Sequence, residues 1–285
     1  MTLEAALAFV LGLLIGSFLN VCIYRLPRDL SVVRPRSFCV VCEQPISWFD
    51  NIPLVSFVLL RGRCRHCRAP ISARYPAVEL LTALLFFFFV GLLGPTLPAL
   101  KFCLLAALLV GLIFADLEQR ILPDELTLGG ALAGLVLAWF VPVEDMTARL
   151  LLSISGARWN AHWTSLAESA LGAALPPAFL WLGGVVFEKL RHKEGLGFGD
   201  VKMMAMIGAF LGLRGALLTL VAGAVLGTVV GLLYILITKK DASTYELPFG
   251  SFLGIAALFV ALTGQKVIAW YAGQISASAV LALFG

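Results

Sequence analysis

The run LPALKFCLLAALLVGLIFADLEQRILPDE, Leu97 to Glu125, decides how the chain must be read. From Leu97 to Ala115 it carries one charge, Lys101, and is otherwise suited to lipid. A bilayer core about 30 Å thick takes roughly 20 such residues as one helix. At the end of that helix stands Asp116. There the backbone presents the negative end of its dipole, and the medium is of low dielectric, which is costly for a charge. A structural position would carry Lys or Arg instead. Ionisable residues at membrane depth are read first as functional. The plainer reading is a solvated helix end paired with Arg120.

The same apolar character runs through the whole chain. Of 285 residues, 60% are hydrophobic and 13% charged, with a mean hydropathy of +0.97. Soluble domains carry about 25% charged residues, so the solvent for most of this protein is lipid. The fold class expected is an all-α polytopic membrane protein with about eight transmembrane helices and a small cytoplasmic four-cysteine domain. The spans run Leu3 to Tyr24, Pro76 to Leu93, Leu97 to Ala115, Leu126 to Val141, Leu166 to Phe187, Asp200 to Leu213, Ala216 to Ile237 and Phe249 to Thr263. Arg214-Gly215 reads as the turn between the sixth and seventh. Residues 142–165, with Trp159 and Trp163, suit an interfacial loop or surface helix. The tail 265–285 fits either a surface helix or a ninth span. The first run lacks a basic leading region and enters a polar segment directly, so it is expected to stay as a span rather than be cleaved.

The net charge is +4, and its distribution matters more than its size. Nine arginines fall between residues 25 and 75: Arg25, Arg28, Arg34, Arg36, Arg61, Arg63, Arg65, Arg68 and Arg74. Flanked by apolar spans, they mark a cytoplasmic segment rather than a nucleic-acid surface. Basic residues at 189–193 and 239–240 agree. The division expected is 1–24 as first span, 25–75 as cytoplasmic domain and 76–285 as membrane core, with the amino terminus outside. Parity then matters. Asp116 ends the third span and Asp200 opens the sixth, with two complete crossings between them. Both fall on the cytoplasmic face.

Asp200 lies in Gly195-Leu196-Gly197-Phe198-Gly199-Asp200. Taken alone it could equally be a helix N-cap. Asp124 after Pro123 reads as a cap. Glu79, Lys101 and Glu168 lie in or beside spans, where they would pair or reach toward the surface. Two neighbouring carboxyl groups can share a proton, so that one acts as general base toward water and the other as general acid. His66, His162 and His192 stand beside no nucleophile motif, and no HExxH occurs.

Four of the six cysteines form two CxxC pairs, Cys39/Cys42 and Cys64/Cys67, separated by 21 residues. Two such loops complete a tetrahedron of thiolates, which reads as a zinc site; iron in the same site stays open. His66 is surplus to four thiolates. The segment has few apolar residues, so metal should contribute much of its folding energy. Cys22 and Cys103, in apolar runs, read as small core residues.

Gly197-Phe198-Gly199-Asp200 is a GxGD motif, and Asp116 stands seven residues before Pro123. Together they resemble the type IV prepilin peptidases, also called leader peptidases. The resemblance extends to Gly16–Pro27, Asn51–Ser56 and Arg74–Glu79. Val40-Val41 departs from it, where many members have Cys-Pro-x-Cys. Presenilin-type proteases share GxGD but pair it with a Tyr-Asp that this chain lacks. The resemblance implies Asp116 and Asp200 as the catalytic pair. It implies a prepilin or pseudopilin substrate in the bacterial inner membrane. It also implies a second activity, N-methylation of the new amino terminus from S-adenosylmethionine. Two rivals remain open at this stage: a transporter using the same carboxylates, and a zinc-containing assembly factor without catalysis.

Overall fold

The computed structural model describes residues 2–143, 145, 147–148, 159–191, 197–238 and 248–263. Among them the fold is helical. The first long helix, α1, is Leu3–Arg25, started by Thr2, whose hydroxyl accepts the Ala5 N–H at 3.4 Å. After loops and two short 3₁₀ turns come α2, Val55–Leu59, and α3, Arg74–Leu93. Thr96 caps α4, Leu97–Gln119, which closes at Arg120 in left-handed backbone conformation. Then follow α5, Asp124–Phe140, α6, Ala161–Arg191, α7, Phe198–Thr238, and α8, Phe249–Thr263.

Five of these helices are long and apolar enough to cross a membrane, and α5 and α8 are shorter apolar helices. Outward faces stay apolar: Leu7, Leu11, Leu14 and Phe18 of α1 are each more than half exposed. In water such a face would be a defect; in lipid it is the solvated side.

The α7 helix corrects one expectation. The break falls at Gly212 rather than at Arg214-Gly215. Gly212 has φ 75° and ψ −175°, a backbone state that favours glycine. Beyond it the chain reverses. A Cβ on Gly254 would meet Met203, while one on Gly223 would meet Leu253. Residues twenty apart on a straight helix would be about 30 Å apart, so both can touch neighbouring positions of α8 only if α7 turns back. Asp145 holds the corner. Its carboxylate accepts the Arg214 N–H at 2.8 Å and lies 3.3 Å from the Arg214 guanidinium. The eight apolar runs are therefore all helical.

Other boundaries shift. The α6 helix begins at Ala161, so Trp163 belongs to a long helix rather than to an interfacial loop. It crosses α7 where Gly172 and Gly208 let the two backbones touch; a side chain on either would overlap the other backbone. Glu79 accepts the Leu54 N–H at 2.8 Å, and Glu168 the Asp145 N–H at 2.7 Å. The tail from 265, Glu144, and the basic residues 192–193 and 239–240 lie outside the described residues.

Helix α4 sits in the middle. Its Leu105, Leu109 and Leu112 pack on Met203, Met206, Phe210 and Leu253. Its Ala106 and Val110 join Leu19, Ile23, Val78, Phe86 and Phe89. Cys22 and Cys103 are buried, as core residues should be. At one end of the bundle the finish of α1, the start of α3 and the finish of α4 meet. Gln119 Nε2 donates to the Ile23 carbonyl at 3.1 Å, and Arg74 Nη1 is 2.5 Å from Glu118 Oε2.

Candidate functional site

Asp116 occupies the last turn of α4 and is 5% exposed. Its Oδ2 accepts two hydrogen bonds from one residue of α8: the Ser251 N–H at 2.6 Å and the Ser251 hydroxyl at 2.7 Å. Ser251 stands in the first turn of α8, where N–H groups have no partner within their own helix. The carboxylate at the negative end of α4 is thus met by the positive end of α8. The cost read from the sequence at Asp116 is offset across the bundle.

Asp200 stands in the first turn of α7 and is 8% exposed. It is inside the helix, not at its cap position, which removes the capping reading. Gly199 lets this turn sit against Leu122: a Cβ there would be 3.1 Å from the Leu122 side chain. Gly250 is the common point. A Cβ on Gly250 would stand 3.0 Å from Asp200 Oδ1 and 3.2 Å from Asp116 Oδ2. The separation of those two oxygens cannot exceed the sum of the two distances. The two carboxylates therefore converge on one point beside Gly250, with the Leu122 side chain against the same point. This arrangement can polarise a water and return a proton. Both aspartates lie at the same end of the bundle.

Asp124 is a first-turn residue of α5 rather than its cap; Pro123 holds that place. Its carboxylate pairs with Lys202 Nζ at 2.7 Å and ties α5 to α7. Ser251 and Gly250 were not legible as site residues. The only hint is Pro248-Phe249-Gly250-Ser251, a helix start with small residues leading an apolar run. Of the acidic residues available to draw a basic peptide, Glu118 is engaged by Arg74, Glu125 is exposed, and Glu194 lies outside the described residues.

The four cysteines converge as their spacing predicts. All four Sγ atoms lie within 4.8 Å of one another, and Cys39 and Cys67 are 3.9 Å apart. A tetrahedron with metal–sulfur bonds of about 2.3 Å has sulfur–sulfur edges of about 3.8 Å, so the cluster fits a zinc-sized ion. Two matching loops build it. Cys39 N–H donates to Gln44 and Glu43 N–H back to Cys39; Cys64 N–H donates to Ala69 and Arg68 N–H back to Cys64. Glu43 and Arg68 take the same left-handed conformation at corresponding positions. The Cys67 and His66 N–H groups aimed at Cys64 bring its thiol down to about 6. At Cys42 the Gln44 N–H acts in the same sense, but desolvation and the sulfurs of Cys67, Cys39 and Cys64 outweigh it and push the thiol up to about 11. Cys64 therefore gives up its proton more readily than Cys42. A cation is what allows all four to become thiolates. Arg65, between the second pair, grips Asp50 at 2.7 and 2.6 Å and holds its carboxyl below the usual range.

Comparison with known proteins places these features in two adjoining matches. Residues 10–92 match the family model described as Bacterial Peptidase A24 N-terminal domain, and residues 103–232 match the Type IV leader peptidase family. The first span contains all four clustered cysteines and the second both aspartates. The chain is 37% identical to a prepilin leader peptidase/N-methyltransferase of Aeromonas hydrophila, over 93% of each chain. It is 42% identical to one of Myxococcus xanthus over 86% of this chain and 67% of that protein. It is 34% identical to one of Legionella pneumophila over 92% of each. No solved structure matches.

Proposed function

The chain belongs to the type IV leader peptidase family, and from that membership we propose that it removes the leader from prepilin or pseudopilin precursors and N-methylates the new amino terminus. The single observation that carries the peptidase reading is the approach of Asp116 and Asp200 to one space beside Gly250.

In the mechanism proposed, the precursor lies in the bilayer by its apolar helix, with its scissile bond at the end of the bundle where the two aspartates sit. The basic segment 25–75 puts that end at the cytoplasmic face of the inner membrane. Asp116 and Asp200 hold one proton between them. Ser251 donates twice to Asp116 Oδ2, and two donors require an acceptor there. This favours the shared proton on Asp116 Oδ1 or on Asp200. One carboxylate takes a proton from the attacking water, and the other delivers one to the leaving amine. Leu122 lies beside the pair, and both carboxylates are buried away from bulk water. The residues 25–75 form a unit held by zinc on Cys39, Cys42, Cys64 and Cys67. It docks on the membrane core 76–285 through the Leu54 N–H to the Glu79 carboxylate, and Arg74, at its end, pairs with Glu118.

The test uses purified full-length protein and a prepilin in detergent. Asp116→Asn and Asp200→Asn should each abolish cleavage. Substantial cleavage by either sinks the assignment. Mass spectrometry of the mature amino terminus reports the cut and the methyl group together.

A further inference from the structure

Residues 48–60, WFDNIPLVSFVLL, carry one charge, Asp50, which Arg65 neutralises. The apolar side chains of this stretch are not tucked inside. Trp48 is 72% exposed, Val58 71% and Leu59 76%, and Ile52 and Val55 are exposed as well. Val55, Val58 and Leu59 stand three and four positions apart on α2 and share one face. Ser56, turned the other way, is buried and donates to the Phe49 carbonyl at 2.9 Å, which draws the Trp48-Phe49 turn against α2. Scattered apolar residues on a surface need no explanation, but a contiguous set marks a contact.

Depth identifies what covers it. The Leu54 N–H donates to Glu79 Oε2 at 2.8 Å. Glu79 lies five residues, about 7.5 Å, inside the start of α3 at Arg74. It is level with Gly16 of α1, where an added Cβ would be 2.7 Å from the Glu79 Cα. Gly16 in turn stands nine residues, about 13 Å, inside the end of α1 at Arg25. Tyr24-Arg25 and Arg74-Tyr75 are the aromatic and basic residues at which these helices leave a bilayer, so Leu54 is drawn past that level. Asn51 and Pro53 share a cavity of about 340 Å³ with Leu14, Ser17 and Phe18 of α1, and Leu14 and Phe18 are on its lipid-facing side. The patch continues a surface that already meets acyl chains. The backbone suits that medium. The N–H groups of Ile52, Leu54, Val55, Ser56, Val58 and Leu60 each have an acceptor within the stretch or on Glu79. A loop in water can leave such groups to solvent; one among acyl chains cannot.

We propose that residues 48–60 form a wedge inserted in the bilayer, with α2 among the upper acyl chains and Trp48 at the headgroup boundary. The exposed Arg61 and Arg63 that follow are placed to meet lipid phosphates. The partner of the patch is thus the lipid of one leaflet; that it is the cytoplasmic leaflet rests on the sidedness already proposed for residues 25–75. A basic leader peptide suits the patch less well, since its one acid, Asp50, is taken by Arg65. Together with the Leu54–Glu79 bond, the wedge holds the metal-bearing loops at a fixed height on the bundle.

The experiment places full-length, metal-loaded protein in lipid nanodiscs without a prepilin. Trp48 emission is taken as the difference between the unaltered chain and Trp48→Phe. It should be blue-shifted and should fall by roughly half or more when the lipids carry bromine high on their acyl chains, because an interfacial segment lies about 5–10 Å deep. Iodide in the water should quench it little. A water-like emission that iodide quenches and bromine does not overturns the wedge. A second measurement leaves Trp48 in place. Val58→benzoylphenylalanine, at an exposed position that tolerates bulk, should cross-link to phospholipid on illumination. Cross-linking mainly to a second copy of the chain, or to prepilin in place of lipid once prepilin is added, makes the patch a protein-docking face and overturns the proposal. Neither readout depends on cleavage, so failure of the peptidase reading leaves both unmoved.

Discussion

Replacing Ser251 with alanine separates the support of the carboxylate pair from the pair itself. The change removes one of two donors to Asp116 Oδ2, the hydroxyl at 2.7 Å, and leaves the backbone N–H at 2.6 Å. A hydrogen bond to a charged group contributes about 1.5–3 kcal/mol. Ser251 is 1% exposed, so water does not readily substitute for the lost hydroxyl. At about 1.4 kcal/mol per factor of ten, kcat/KM for prepilin cleavage should fall roughly 10- to 150-fold. That is well short of the complete loss expected for Asp116→Asn, because the backbone donor remains. The fall should appear in kcat with KM nearly constant, since the hydroxyl does not contact the substrate's apolar helix. Ser251→Thr keeps the hydroxyl and should recover most of the rate. Cleavage is followed on gels with a purified prepilin, and the thermal transition is recorded for each variant. If Ser251→Ala stays within about threefold of the unaltered enzyme, the hydroxyl does not serve the reacting carboxylate and the reasoning fails.

Other outcomes follow from the same geometry. Gly250→Ala puts a methyl group 3.0 and 3.2 Å from the two carboxylate oxygens; displacing the reacting water there should cost about 100-fold or more in kcat, measured on the same substrate. Cys64→Ser should take bound metal from about one per chain toward none by elemental mass spectrometry, which also tells zinc from iron, and should lower the thermal transition. Lys202→Ala breaks a half-exposed ion pair with Asp124 and should change stability by less than about 1 kcal/mol, read from the same melts. Gly208→Leu forces α6 and α7 apart where their backbones touch and should destabilise by about 1–3 kcal/mol or more.

Much of this protein is legible in one dimension because lipid imposes a simple rule. Every backbone group in the bilayer must be satisfied within its own helix, so apolar runs such as Leu97–Ala115 become helices whatever packs beside them. Cysteine spacing is equally explicit, since CxxC brings two thiolates to one point locally and needs only a partner loop. Where the reading missed, the cause is contact between distant segments. A charge next to glycine resembles a loop and suggests a turn at Arg214-Gly215; Asp145, some seventy positions earlier, captures Arg214 and leaves Gly212 to bend. Asp124 resembles a cap until Lys202 is seen to reach it.

The amino-acid order by itself determined that the chain is a bundle of apolar helices, that two aspartates end on one face, and that four thiols can gather. It could do so because each conclusion depends on local composition or on counting crossings. Only the tertiary structure decided how the aspartate pair is held and how α1 is joined to the start of α3. Ser251 reaches Asp116 across 135 positions, and Asn20 meets the Tyr75 carbonyl across 55. Neither contact leaves a periodic trace, because a hydrogen bond between two helices requires only that their ends meet in space.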